Sequence, residues 1–182
     1  MQGVIYDAMK DYIVSTMGRP VWEQVLTRVG RPPTHEYQLD LAYSDAEMGL
    51  LAAHAAQIAG RPLNDVLEGF GEALVPMMFT YYGFLADPRW SYIDFLMNME
   101  PLLHAALHLH TPGALPTKVH AERTGPQTVK IVYQSSLHAC AAVRGIIRGA
   151  AVKYGTEVVV TDEKCVVRGD PECVITVQST EY

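Results

Sequence analysis

The sequence predicts an α+β fold: a helical N-terminal lobe, then an antiparallel four-stranded sheet packed with helices. Two features carry this. Apolar residues recur at three- and four-residue spacing as far as about residue 110, and beyond the turn that follows the period drops to two. Four alternating segments then come as two pairs, each joined by a turn sequence, with one Ala- and Gly-rich helical stretch between the pairs. Strands joined by short turns run antiparallel, and helices grouped ahead of them do not build a parallel sheet.

The first helix sets Val4, Ile5, Ala8, Met9, Tyr12 and Ile13 on one face and closes at Gly18. Pro20 opens the second, which carries Val21, Trp22, Val25 and Leu26. Ser44 and Glu47 have the spacing of a capping box before a helix that ends at Gly60. Pro62 starts a further helix, whose continuation to about Tyr81 contains Pro76 and should kink there. A helix over about Tyr92 to Leu109 carries His104, and the turn Pro112 to Pro116 follows it. Lys118 to Glu122 and Thr128 to Gln134 read as strands around the turn Arg123 to Pro126. A helix from about Leu137 to Tyr154 precedes the last pair, Glu157 to Thr161 with a tail through Val167, and Cys173 to Gln178.

A length of 182 residues suits one stand-alone domain over 1–182, divided at about residue 65 into the helical lobe and a pocket-and-sheet lobe over about 66–182. A net charge of −6 without a basic patch argues against nucleic acid, whose phosphates are met by clustered Lys and Arg. No apolar run has transmembrane length and the N-terminus has no signal pattern. With three cysteines in a chain of this size, a reducing, cytoplasmic setting is expected. There is no Gly-rich phosphate loop and no nucleophile–base pair; Glu68 and Glu72, four apart on a helix, are expected to be solvated, and no enzyme activity is expected. Taken alone, His104 reads as a core histidine, and His108 four residues on would give a metal only two ligands.

The opening Met1-Gln2-Gly3-Val4-Ile5-Tyr6-Asp7, then Val21-Trp22-Glu23, Tyr43-Ser44-Asp45, Leu67 to Glu72 and Phe95-Leu96-Met97-Asn98-Met99, resemble in order the H-NOX domains. These are haem nitric-oxide/oxygen-binding sensors related to the soluble guanylate cyclase haem domain. The resemblance continues through His104, Pro112, Tyr133-x-Ser135 and Gly145-Ile146-Ile147. It implies haem b with its iron held by His104, Tyr133 and Ser135 donating to the propionates, and Pro116 at the cofactor site, where the family packs a following second proline on the macrocycle. Ile5, Met9, Leu74, Ala142 and Val143 are then expected over the open face. None donates a hydrogen bond, so NO and CO are expected to bind and O2 poorly. The resemblance further implies a signalling partner in trans: a histidine kinase, a cyclic-di-nucleotide enzyme or a chemotaxis receptor.

This sequence departs from the family pattern at three places. Leu137 stands where the family's Tyr-x-Ser-x-Arg motif has arginine, which removes a permanently charged propionate partner that His138 or Arg144 would have to replace. Thr117 replaces the second proline of the turn. One extra residue separates Asn98 from His104, a rotation of about 100° on a helix unless Pro101 absorbs it. Some H-NOX domains hold zinc with one His and three Cys. Here Cys165 and Cys173 match two positions, Asp162 and Ile175 occupy the others, and zinc is not expected; Cys140 reads as a small core residue. The Cys165 to Cys173 segment also resembles V4R-type ligand-binding domains. The alternative function is therefore a haem-free module of the same fold, or one that binds another ligand, acting as a regulator or scaffold.

Overall fold

In the computed structural model the described residues are 1–110, 118–134 and 139–180, without the side chains of 107, 108 and 110. Pro112, Pro116, Thr117, Ser135, Leu137 and His138 lie outside them, as does the side chain of His108. Seven α-helices precede and interleave with one sheet: α1 (Gly3–Met17), α2 (Arg19–Arg28), α3 (Asp45–Ala59), α4 (Leu63–Tyr82), α5 (Tyr92–Met97), α6 (Met99–His110) and α7 (Cys140–Tyr154). The strands are β1 (Lys118–Gly125), β2 (Thr128–Gln134), β3 (Val158–Lys164) and β4 (Cys173–Ser179), in the order β1-β2-β4-β3 with every pair antiparallel. The α+β architecture expected from the sequence is the one observed.

Two buried clusters result. One gathers Tyr6, Met9, Ile13, Trp22, Leu26 and Leu51 from α1–α3 with Phe70 and Leu74 of α4. The other gathers Phe95, Leu96, Ile131, Ile147, Ile175 and Val177 from α5, α7 and the sheet. Period-two burial in β2 turns Val129, Ile131 and Tyr133 inward, because alternate strand residues share a face. Helix α4 runs between the clusters and lies against α7 almost backbone to backbone. A Cβ on Gly71 would sit 2.1 Å from the Ala142 carbonyl oxygen, and one on Gly145 2.0 Å from that of Glu68. Glu68 in turn pairs with Arg144 (3.2 Å) and Arg148 (2.8 Å), and Arg144 reaches Asp162 of β3 at 2.9 Å. Glu68 is thus a structural ion-pair partner rather than a freely solvated carboxylate.

Helix α4 runs from Leu63 to Tyr82 with Pro76 inside it. Two local expectations are corrected. The helix expected over 92–109 is broken at Asn98, whose side-chain amide donates to the Asp94 carbonyl at 2.8 Å. Pro101 falls in the first turn of α6, where a missing N–H costs nothing, so it sets a new helix start. Ser44 makes no side-chain cap at α3, because the Glu47 carboxylate is taken by Arg31 (2.9 and 3.0 Å) and the Tyr37 hydroxyl (2.7 Å). A capping box forms instead at α5, between Ser91 and Asp94.

The Arg31 hydrogen bonds hold the Glu47 carboxyl below the usual carboxylate range, against burial, while burial and Glu47 push the Tyr37 hydroxyl up. A depressed carboxyl stabilises the fold above its unfolded value of roughly 4.3, and that stability is lost as pH falls through the folded value. In urea melts between pH 3 and 7, Glu47→Gln should lower stability by about 2 kcal/mol at neutral pH and flatten the loss on acidification. Gly145→Ala, whose new methyl meets backbone rather than a side chain that can turn away, should cost about 3 kcal/mol in the same assay.

Candidate ligand cavity and thiol cluster

The two clusters do not close completely on each other. Between them lies a cavity of about 560 Å³, a size usual for small-molecule and cofactor sites. Helix α1 contributes Ile5 and Met9, α4 contributes Leu67, Phe70, Leu74 and Met78, and α7 contributes Ala142, Val143 and Ile146. Tyr133 of β2 and Val119 of β1, directly paired across the ladder, form the wall on the sheet side. Thioethers recur around it, from Met1 and Met48 as well as Met9, Met78 and Met99, and such flexible, polarizable side chains adapt readily to a ligand. Its polar lining is sparse: Asp45, Asn64, Tyr82 and Tyr133, with Asp45 held by the N-terminal ammonium at 2.7 Å. No lysine, arginine or histidine is among the described lining residues.

Ile5, Met9, Leu74, Ala142, Val143 and Tyr133 therefore line one space. His104 does not join them. Helix α6 turns Met99, Leu102, Leu103 and Ala106 into the cavity, the i, i+3, i+4, i+7 face. One residue past Leu103 is about 100° round the helix. The His104 side chain is 40% exposed there, with Nε2 4.0 Å from Glu100 Oε1. Pro101, in the first turn of α6, starts that helix in the phase that presents Leu103. Arg144 is not a substitute propionate partner, since Glu68 and Asp162 hold it.

Sequence reasoning missed a second constellation. Cys140, at the start of α7, meets Cys165 and Cys173, and the three Sγ atoms lie within 4.8 Å of one another. All three are buried, with the Cys140 and Cys165 sulfurs 3.4 Å apart. Cys140 is not an isolated core residue. Burial pushes its thiol up to about 12. Burial opposes ionisation of Cys165 too, but hydrogen bonds from Cys140 and the Val167 backbone outweigh it and bring that thiol below its usual value. The backbone N–H of Cys165 donates to Asp170 Oδ2 at 2.7 Å, and that of Val166 to Cys173 Sγ, which fixes the loop around the sulfurs. Three soft donors are one more than the sequence suggested, and one fewer than a closed zinc site uses. Asp162 of β3 is engaged with Arg144. The separation of 25 residues from Cys140 to Cys165, and 33 to Cys173, hid this; in the fold Cys173 pairs with Tyr133 across β2 and β4, near the start of α7.

Comparison with known proteins bears on the whole chain. The profile of the haem-NO-binding family (HNOB) matches residues 2–162. The chain belongs to that family. The structure superposes on an H-NOX protein from S. oneidensis solved in its Fe(II)NO state, with a TM-score of 0.89, 20% identity and complete coverage of both chains. A point mutant of T. Tengcongensis H-NOX gives 0.87 at 18% identity, covering 100% of this chain and 98% of that one. An oxygen-binding H-NOX domain related to soluble guanylate cyclases gives 0.82 at 18%, covering 100% and 96%. Among curated proteins no significant match was found. No helix of the described residues is long and apolar enough to cross a membrane.

For the H-NOX cavity, haem fits the apolar walls, the volume and the Tyr133 hydroxyl. It does not fit the present orientation of His104. As for the thiols, Cys140→Ser leaves a hydroxyl where a weakly polar sulfur packed and should lower stability by about 1–3 kcal/mol in denaturant melts, although the substitution changes one atom.

Proposed function

We propose that this H-NOX domain is a haem-based gas sensor, not an enzyme, that binds NO and CO in preference to O2 and signals to a separate protein. The observation that carries this reading is the cavity itself. Its Ile5, Met9, Leu74 and Val143 wall is buried or nearly so and offers no hydrogen-bond donor, and Tyr133 faces it from the sheet. Bound haem would supply the iron to which a diatomic gas binds. The protein's own contribution is to exclude water and to withhold a donor that would stabilise a polar oxygen adduct. In this reading Tyr133 and Ser135 would hold the propionates, Pro116 would belong to the cofactor site, and His104 would hold the iron. The domain is cytoplasmic, and its partner is a histidine kinase, a cyclic-di-nucleotide enzyme or a chemotaxis receptor reading the position of α6.

A second reading rests on one specific observation, Leu103 on the cavity face with His104 outside it. It makes the domain a haem-free module whose cavity takes another apolar ligand. The visible spectrum after haem reconstitution separates the two. The sensor should yield a Soret band that responds to NO and CO without a stable oxygen complex. That band should be lost in His104→Ala and restored by added imidazole. A colourless wild type that becomes coloured in Leu103→His sinks the sensor reading and supports the second, because that substitution sets an imidazole on the wall that α6 already presents.

A further inference from the structure

Cys140, Cys165 and Cys173 are all the cysteines the chain has, and they come together from α7, the loop after β3, and β4. Their Sγ atoms lie within 4.8 Å of one another, every one of them buried, and the Cys140–Cys165 pair is 3.4 Å apart. Packing alone does not call for this convergence, since a single sulfur fills a core gap as any small apolar group does. The tetrahedral zinc of some H-NOX domains does not fit these donors. Of the residues that the sequence set at two of its positions, Ile175 has no donor atom and Asp162 is held by Arg144 at 2.9 Å. Asp170 accepts the Cys165 N–H at 2.7 Å. Among the described residues no histidine or carboxylate joins the three sulfurs.

We propose that Cys140, Cys165 and Cys173 bind one soft monovalent ion, Cu(I), in a three-coordinate thiolate site rather than zinc in a four-coordinate one. Metal–sulfur bonds of about 2.3 Å in a planar trigonal site set the sulfurs roughly 4.0 Å apart. The triangle here measures 3.4 Å along one edge and no more than 4.8 Å along any, so small side-chain rotations close it around an ion. Thiolates select soft ions, and Cu(I) accepts three donors where structural zinc almost always takes four. Copper enters already reduced, so no electron is transferred; it displaces thiol protons. The charge left on sulfur meets donors already in place. The Val166 N–H points at Cys173 Sγ at 3.4 Å, the backbones of Val167 and Arg168 hydrogen-bond to the Cys165 sulfur, and Cys140 opens α7 at its positive end. Ala139 and Val167, beside the cluster in the chain, line the cavity, so the ion fastens α7 to the hairpin at the edge of the ligand space without entering it. The proposal does not depend on the haem reading.

Anaerobic titration of the reduced, full-length, haem-free chain with Cu(I) held by bathocuproine disulfonate tests this, with Zn2+ titrated in parallel. The wild type should withdraw one equivalent of copper. X-ray absorption should show three sulfur neighbours around it and no nitrogen or oxygen. Zinc should bind at least a hundredfold more weakly. Cys173→Ser should weaken copper binding at least tenfold and abolish the rise in melting temperature that copper gives the wild type. Asp162→Asn should bind copper as the wild type does, because that carboxylate serves Arg144 and not the ion. A wild type that leaves copper with the chelator overturns the proposal, as does a four-donor shell or zinc held as tightly as copper. So does full affinity in Cys173→Ser, which would put the copper on the thioethers of the cavity.

Discussion

The contact between α4 and α7 is the constraint on which the rest of the structure depends. Gly71 and Gly145 let two helix backbones approach to a distance at which no Cβ would fit. That approach brings Glu68 within reach of Arg144 and Arg148, and Arg144 within reach of Asp162, so α4, α7 and β3 are locked by charge-assisted hydrogen bonds. It also fixes what α7 offers on its other sides. Val143 and Ile146 turn to the cavity, Ile147 to the sheet, and Cys140 to the hairpin thiols. A helix held this tightly cannot tilt to close the space beside it, which is why a cavity of about 560 Å³ persists between two otherwise well-packed clusters.

The same lock decides the electrostatic character of the cavity. The cation nearest in sequence to the pocket-lining part of α7, Arg144, is committed to two carboxylates, and the N-terminal ammonium is committed to Asp45. What faces the space is aliphatic carbon, thioether sulfur and a few neutral polar groups beside that paired carboxylate. A ligand there gains by leaving water rather than by meeting a fixed charge. Methionines on several elements make the walls adaptable in detail while α4 and α7 remain rigid.

Much of this was legible in the sequence. The change of period after the His104 helix announced the strands, and the paired turns announced their antiparallel order. Ile5, Met9, Leu74 and Val143 could be assigned to one space because the family resemblance runs in order along nearly the whole chain. What could not be read were features decided by tertiary competition. Ser44 and Glu47 have capping-box spacing, yet Arg31 and Tyr37, brought in by the fold, outbid the backbone for the carboxylate. Cys140 looked solitary because its neighbours are twenty-five and more residues away. The phase of α6 was ambiguous by one residue, since the sequence shows that Pro101 starts something but not how α5 ends.

That one-residue ambiguity has an energetic meaning. Bringing His104 to the cavity by a one-residue turn of α6 withdraws Met99, Leu102 and Ala106 together and turns Glu100 inward, so the cost exceeds the roughly 2 kcal/mol of one apolar side chain. Breaking no strand pairing and moving no part of the α4–α7 lock, the turn involves α6 and the short joint at Asn98. Each 2 kcal/mol of that cost corresponds to roughly one and a half decades in an equilibrium constant. A ligand that needs the imidazole inside must therefore favour that phase by more than this margin before the population shifts, and a ligand indifferent to the imidazole leaves α6 where it is. The phase of α6 is therefore set by what the cavity takes: only a ligand that bonds the imidazole offsets the cost of turning Glu100 toward an apolar wall.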